Sequence, residues 1–161
     1  MSNIEIARNP STPPETLDRL ANDGDQRVRE AVAYNDNTSP ETLDRLANDG
    51  DWDVRCGVAY DNPNTSQETL ERLANDNDWE VRYYVARNPN TPIEILERLA
   101  VDGEWPVRRG AAQNPNTSPE ILGRLATDND LEVRYYVIRN PNTPQYIKTY
   151  LKIKKFLNYY G

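Results

Sequence analysis

The sequence predicts an all-α fold, an α-solenoid superhelix of about five two-helix repeats of 26 residues with a C-terminal capping helix. A motif of the form Asn-Pro/Asp-(Asn/Ser)-Thr recurs with spacings of 26 or 27 residues, and the apolar residues between its copies follow helical periodicity. The chain of 161 residues is 37% hydrophobic, with a mean hydropathy of −0.90. Each repeat has too few apolar residues for a core of its own, so stacking of neighbours must bury them.

The motif organises residues 1–161 as a single repeat domain. Residues 1–8 resemble the end of a repeat and form an N-terminal half-repeat, and residues 140–161 hold a partial sixth repeat and the capping helix. One extra residue in the second copy is placed at Asp61, in a loop where an insertion costs little. The five complete repeats cover residues 9–139 and begin at Asn9, Asn35, Asn62, Asn88 and Asn114.

Each repeat begins with a short helix whose start carries Thr and, three residues later, Glu. This is the capping-box pattern, in which the two side chains satisfy backbone N–H groups at the helix start. Leu17, Leu20 and Ala21 then occupy one face at i, i+3 and i+4, and the later repeats keep this spacing. The predicted capping threonines are Thr12, Thr38, Thr65, Thr91 and Thr117.

A second helix follows in each repeat and starts near an acidic residue. It carries apolar residues at i and i+4, such as Val28 and Val32 or Val81 and Val85. It ends at the next Asn-Pro, because Pro cannot continue a helix and Asn tolerates a left-handed conformation there. Neither helix is long enough to be stable alone.

The repeat sequence resembles a known family. Its pattern is N-P-N-T-P-x-x-x-L-x-R-L-A-x-D-x-D-x-x-V-R-x-x-V-A-x-N, read most cleanly from Asn88 to Asn114, where Gly110-Ala111-Ala112 is a variant of the x-V-A step. This pattern is similar to leucine-rich repeat variant (LRV) repeats. The Asp-x-x-Val-Arg step also resembles HEAT repeats. The LRV resemblance implies a superhelix of paired short helices, with a 3₁₀-helix in place of one α-helix of each pair as the alternative. It implies no activity. An iron–sulfur segment accompanies the repeats in an LRV member, but this chain has one cysteine, so that cofactor is not carried over.

Arginine recurs at one fixed position in the first helix of each repeat and at one fixed position in the second helix. Every such arginine has an acidic residue four positions before it, which is the favourable order on a helix. A ladder that binds anions is one interpretation; a charge lattice that links helices and neighbouring repeats is the favoured one. The aspartates at the turns, from Asp23 to Asp128, lack the spacing of a calcium loop and are interpreted as turn residues and partners of these arginines.

The second helices also contain positions that vary between repeats and lie opposite the valines. Seven of the 14 aromatic residues fall on these positions, together with three arginines. We interpret them as a displayed binding stripe; packing of Trp52, Trp79 and Trp105 between repeats is the alternative. Tyr84, beside the valine face, is expected to be packed. The predicted partner-binding residues, here called the aromatic–arginine stripe, are Tyr34, Trp52, Tyr60, Trp79, Tyr83, Arg87, Trp105, Arg109, Tyr135 and Arg139.

The amino-acid composition argues against several classes of function. The formal net charge is −7, which opposes nonspecific phosphate binding. The chain has no histidine and one cysteine, Cys56, so we assign no catalytic, cofactor-binding or metal-binding residues. No segment has the apolar length of a signal peptide or a membrane span, and a cytoplasmic location is expected.

All four lysines lie in the last 14 residues, which contain no acid. Tyr146, Tyr150, Ile153, Leu157 and Tyr160 recur on one helical face there. A capping helix is the favoured interpretation, and a basic amphipathic segment for a membrane surface or partner is the alternative. The half-repeat at the other end leaves end-to-end self-association open.

The sequence therefore predicts a non-enzymatic repeat scaffold that binds an unidentified protein or peptide along the aromatic–arginine stripe. The alternative is a HEAT-like module that binds nucleic acid, since aromatic and arginine side chains suit bases and phosphates. The acidic body opposes this alternative. An enzyme is the least favoured class, because no carboxylate pair or nucleophile is singled out.

Overall fold

A computed structural model describes the backbone of residues 1–160 and the side chains of residues 1–153. Every regular element in this part of the chain is an α-helix, so the 3₁₀ alternative is not realised. The helices are α1 (Asn3–Arg8), α2 (Pro14–Leu20), α3 (Gln26–Ala33), α4 (Pro40–Leu46), α5 (Trp52–Ala59), α6 (Gln67–Leu73), α7 (Trp79–Arg87), α8 (Ile93–Leu99), α9 (Trp105–Gln113), α10 (Pro119–Leu125), α11 (Leu131–Arg139) and α12 (Gln145–Tyr160).

The helices form two layers of a solenoid. The second helices α3, α5, α7, α9 and α11 pack directly on one another, with α1 at the N-terminal end of the same layer. The first helices α2, α4, α6, α8 and α10 form the other layer and have far fewer close backbone neighbours in it. Since the second helices are more closely spaced, their layer lies on the inner, concave side of the stack.

The core lies between the two layers. Leu17 and Val32 in the first repeat are fully buried, and the same columns are buried in every later repeat. Because the helices have six to nine residues except α12, this burial stabilises them more than their intrinsic helix propensity does. The periodic leucines and valines thus set which face of each helix points inward.

Glycine allows the second helices to approach closely at two junctions. A Cβ added at Gly57 would lie 2.8 Å from Ala33 Cβ, and one at Gly110 would lie 2.9 Å from Ala86 Cβ. Real Cβ atoms do not approach this closely, so only glycine fits without a shift of the helices. These contacts set the spacing between α3 and α5 and between α7 and α9.

The predicted capping boxes at the first helices are wrong. The residue before each helix is Ser39, Ser66 or Ser118 in three repeats and proline in the other two, and the serine hydroxyls accept the capping hydrogen bonds. The preceding threonines are buried and point backwards, so that Thr38 Oγ1 donates to Val32 O at 2.6 Å. Each threonine therefore joins the end of one second helix to the next repeat. A capping box does occur at Ser2 and Glu5, where the sequence analysis assigned none.

The asparagines that end the second helices have a role the sequence did not reveal. No residue of 1–160 has a positive φ, glycine included, so the predicted left-handed conformation at the helix end is wrong. Asn114 has φ −64° and ψ 128°. Its side-chain amide instead donates to Ala86 O and Asn88 O at the end of α7, both at 2.8 Å. Equivalent bonds from Asn35, Asn62, Asn88 and Asn140 form a buried ladder along the solenoid.

The arginines of the second helices form the favoured charge lattice, but not with the acids four residues before them. Arg82 Nε donates to Asp102 Oδ2 of the following repeat at 2.7 Å, and its Nη1 donates to Asp76 O. Burial raises the pKa of Asp102, but hydrogen bonds from Arg82 and the Glu104 N–H outweigh this and hold the pKa below its usual value. The same pairing joins Arg29 to Asp49, Arg55 to Asp76 and Arg108 to Asp128.

Helix α12 packs on the last complete repeat through a face that differs from the predicted one. Ile147 and Leu151 are buried and lie 26 residues after Ile121 and Leu125 of α10, whereas Tyr146, Tyr150 and Ile153 are exposed. The remaining predicted positions, Leu157 and Tyr160, lie outside the described side chains, as do Lys154 and Lys155. The apolar spacing that the sequence suggested therefore marks an outer face of α12.

None of the helices in the described part of the chain is both long and apolar enough to span a bilayer.

Candidate functional site

The candidate site lies on the concave side, where the second helices turn away from the valine core. At about 100° per residue, positions two before the first valine, two after it and six after it point away from the core. Trp52 and Tyr60 are 42% and 43% exposed, and Trp79 and Trp105 are 37% and 39% exposed. The indole rings thus neither protrude freely nor lie wholly between repeats. Their part in binding stays a prediction.

The other residues of the aromatic–arginine stripe differ in accessibility. Tyr34 and Tyr135 are 41% and 45% exposed. Arg87 and Arg139 are also exposed, whereas Tyr83 and Arg109 are half-buried.

Tyrosine rings connect the repeats at the N-terminal end of the stripe. The centroids of Tyr34 and Tyr60 lie 5.6 Å apart, and those of Tyr60 and Tyr84 are also 5.6 Å apart, both with edge-to-face geometry. Tyr84 in turn lies 5.2 Å from Tyr83 on the same helix. Edge-to-face contacts of this kind stabilise the arrangement, so the four rings form one continuous surface.

Tyr84 belongs to this surface, although the sequence did not indicate it. Tyr84 is half-buried and links Tyr60 to Tyr83, rather than packing only beside the valines. Its column reads Ala31, Gly57, Tyr84, Gly110 and Tyr136, which alternates between small residues and tyrosine from the second repeat onwards. That alternation was the available signal, because a glycine in this column leaves room for a neighbouring ring: a Cβ added at Gly57 would lie 3.4 Å from Tyr34 Cδ2.

Arginines cover aromatic rings at the C-terminal end of the stripe. The guanidinium carbon of Arg109 lies 5.0 Å from the Tyr83 ring centroid and 5.1 Å from that of Trp105. Arg87 lies 5.6 Å from the Tyr83 ring, and Arg139 lies 5.4 Å from the Tyr135 ring. These are cation–π distances, so the rings hold the positive charges in place.

These three arginines have no carboxylate partner among the described side chains. All ion pairs in that part of the chain involve other arginines. Arg87 and Arg139 donate only to the hydroxyls of Tyr83 and Tyr135, at 3.4 and 2.8 Å. The Nε of Arg109 is buried without an acceptor, as Gln113 Oε1 is buried without a donor.

Cys56 lies in the middle column of the stripe yet is only 2% exposed. Burial raises the pKa of its thiol to about 12, and the nearby charges of Asp53 and Glu80 act in the same direction. Burial, together with Asp53, also raises the pKa of Glu30, the equivalent residue one repeat earlier. A protonated, buried thiol is a poor nucleophile, so Cys56 is not prepared for nucleophilic attack.

No group of three or more His, Cys, Asp or Glu side chains in the described residues is arranged to hold a metal ion.

Comparison with known proteins identifies the repeats. The family model described as leucine rich repeat variant matches residues 27–51, 79–104 and 105–130. No curated protein matches the chain significantly. A solved structure titled "A leucine-rich repeat variant with a novel repetitive protein structural motif" is 25% identical and covers 93% of this chain and 79% of its own, with a TM-score of 0.42. The three matched stretches, which include Trp79, Arg87, Trp105 and Arg109 of the stripe, are therefore repeats of the leucine rich repeat variant type.

Proposed function

We propose that this protein is a non-enzymatic scaffold that binds a protein segment along its concave face, through the aromatic–arginine stripe. The stripe crosses all five second helices, so an extended segment running along the solenoid would contact each repeat in turn.

One observation carries the proposal: large aromatic side chains are partly exposed and adjacent on a face whose supporting residues are buried. Tyr34, Trp52, Tyr60, Trp79 and Trp105 are each about two-fifths exposed. The valines, the asparagine ladder and the alanines beneath them are buried in the same helices. Partly exposed aromatic rings on a rigid support resemble the residues that dominate binding energy at protein interfaces.

The charge distribution favours a protein partner over nucleic acid. All 26 acidic residues lie before residue 140, and the four lysines lie after it. Apart from Arg87, Arg109 and Arg139, most arginines of the second helices pair with aspartates of the repeats and are not free for phosphates. A nucleic-acid backbone would therefore meet few cations and many carboxylates on this molecule.

The proposal can be tested by selecting peptides from a displayed library on the full chain. The double variant Trp79→Ala/Trp105→Ala should lose binding of the selected peptides, by about tenfold or more, since truncation of a buried interface aromatic typically has this effect. Tyr146→Ala is the matched control, because Tyr146 is 74% exposed on α12 and lies off the stripe.

Circular dichroism must show that the double variant keeps its helices and melts cooperatively. The proposal fails if peptides bind the folded Trp variant as tightly as the wild type. It also fails if Tyr146→Ala removes binding to the same extent.

A further inference from the structure

The three arginines of the aromatic–arginine stripe differ from Arg29, Arg55, Arg82 and Arg108 of the second helices in how they are held. Arg29, Arg55, Arg82 and Arg108 form paired hydrogen bonds with an aspartate of the following repeat, and their side chains are at most 20% exposed. Their hydrogen-bonding edges are therefore occupied.

Arg87, Arg109 and Arg139 are held by aromatic rings instead. A ring covers the flat side of a guanidinium but leaves its N–H edges free to donate. Arg109 is the most closely held, since its guanidinium carbon lies 5.0 Å from the Tyr83 ring centroid and 5.1 Å from that of Trp105. Its Nε is buried without an acceptor, so the edge that it can offer to a ligand is the one formed by its two Nη atoms. A guanidinium fixed in this way is prepared for a planar, bidentate anion such as a carboxylate.

The acids of the same helices do not neutralise these charges by direct contact. Glu80 shares α7 with Arg87, and Glu132 shares α11 with Arg139, yet neither lies within ion-pair distance of any of the three arginines. The chain is otherwise rich in acidic residues, which makes three unpaired, ordered cations on one face a specific feature.

We propose that the C-terminal half of the stripe binds an acidic peptide segment in an extended conformation, with one carboxylate for each of Arg87, Arg109 and Arg139. This inference rests on the proposed function and specifies its partner. The Tyr34, Tyr60 and Tyr84 rings at the other end carry no guanidinium and take the apolar part of the segment.

The spacing of the helices sets the spacing of the acids. The three arginines come from the consecutive second helices α7, α9 and α11. Packed helices lie about 8–10 Å apart, and an extended chain advances about 3.3 Å per residue. One acidic residue at every third position therefore matches one arginine per repeat.

Fluorescence anisotropy with labelled synthetic peptides tests this on the full chain. The probe has three glutamates, one at every third position, with alanine and serine elsewhere. One comparison peptide has glutamine in place of glutamate, and another has the three glutamates adjacent. The spaced probe should bind at least about tenfold more tightly than the glutamine peptide, since hydrogen bonds to charged partners are the strong ones.

The triple variant Arg87→Gln/Arg109→Gln/Arg139→Gln should lose this preference. Arg19→Gln should keep it, because Arg19 is an exposed arginine of α2 that likewise forms no ion pair among the described side chains. If the triple variant does not fold, Arg109→Lys serves instead. Lysine keeps the charge but lacks the planar fork, so affinity should fall several-fold without loss of helix.

Equal binding of the glutamate and glutamine peptides, or an undiminished preference in the folded variants, would overturn the proposal. Equal binding of the peptide with adjacent glutamates would overturn the arrangement of one acid per helix. Tighter, arginine-dependent binding of a single-stranded oligonucleotide would assign the face to nucleic acid and also overturn it.

The two proposals fail in different ways. Library peptides that depend on Trp79 and Trp105 but carry no acids would leave the scaffold function intact and remove only this inference. A selection that yields no Trp-dependent peptide removes the scaffold function itself.

Discussion

The side-chain amide of Asn114 donates a hydrogen bond of 2.8 Å to the main-chain oxygen of Ala86, near the end of α7. A second bond of equal length reaches Asn88 O, and all of these groups are buried. One asparagine thus satisfies two carbonyl groups at the end of a helix that has no further N–H to offer them.

Replacement of Asn114 by alanine should therefore destabilise the protein by about 2–4 kcal/mol, because two buried carbonyls lose their donor. Asn9→Ala is the matched control. Asn9 occupies the same position of the motif but is exposed, and its side chain only accepts a bond from the Ser11 N–H. Its loss should cost under about 1 kcal/mol. Urea denaturation followed by circular dichroism measures both, and equal losses would contradict the ladder.

Replacement by alanine should lower the stability of the protein at one glycine and raise it at another. At Gly110 the new Cβ would lie 2.9 Å from Ala86 Cβ and 3.0 Å from Tyr83 O, so the helices must shift and stability should fall by about 1–3 kcal/mol. At Gly123 the nearest atom is Ile147 Cδ1 at 3.7 Å, an ordinary contact. Gly123→Ala should therefore stabilise α10 by about 0.5–1 kcal/mol.

Thermal melts of the two glycine variants give the signs directly. A stabilising Gly110→Ala would show that α7 and α9 are not held as closely as the structure has them.

The repeat lattice should make stability fall in acid. The pKa of Asp102 is depressed in the folded state because the Arg82 and Glu104 hydrogen bonds outweigh burial, and Asp49 and Asp128 behave in the same way. The unfolded carboxyls titrate near pH 3.9, so below this pH the unfolded state binds more protons and is favoured. The stabilisation is complete above about pH 4 to 5 and is lost as the pH falls through the folded pKa values.

The melting temperature measured between about pH 2 and pH 7 should show this decline. Asp102→Asn should lower the melting temperature at neutral pH and weaken its acid dependence. A variant that is destabilised but keeps the full acid dependence would show that Asp102 is not among the titrating groups.

The Cys56 thiol should be unreactive while the protein is folded. Burial, with the charges of Asp53 and Glu80, raises its pKa to about 12, so very little thiolate exists at about pH 8. A thiol reagent such as DTNB should label the chain only after unfolding in guanidinium chloride. Rapid labelling of the native protein would show that the concave face opens around Cys56.

The repeat pattern allowed the helices and their inward faces to be predicted because periodicity along one helix is a local property. Leu17 and Val32 were placed in the core from their spacing, and both are fully buried. Contacts between repeats were predicted less well. The turn aspartates were correctly expected to be partners of the arginines, but the acids four residues before the arginines of the second helices do not pair with them. The sequence did not reveal that Arg82 reaches Asp102, twenty residues later and in the following repeat.

The same limit applies to the site. The helix positions opposite the valines were expected to face away from the core, and most of their side chains do. Cys56 occupies one of these positions yet is buried, whereas Tyr84 lies outside them and joins the ring surface. Whether a side chain is covered depends on the size of its neighbours in the next repeat. A helical wheel of one repeat does not contain that information.

By itself, the sequence determined the number of repeats, the two helices in each and the faces they bury, since these follow from spacing within about 26 residues. Only the tertiary structure decided which groups meet across repeats: the threonine and asparagine hydrogen bonds, the arginine partners and the arginines left on aromatic rings. The threonine bonds span only six or seven positions, but they link the end of a helix to the next repeat. The asparagine bonds and the arginine–aspartate pairs join residues 20 to 29 positions apart, and they depend on how closely glycine and alanine let the second helices approach.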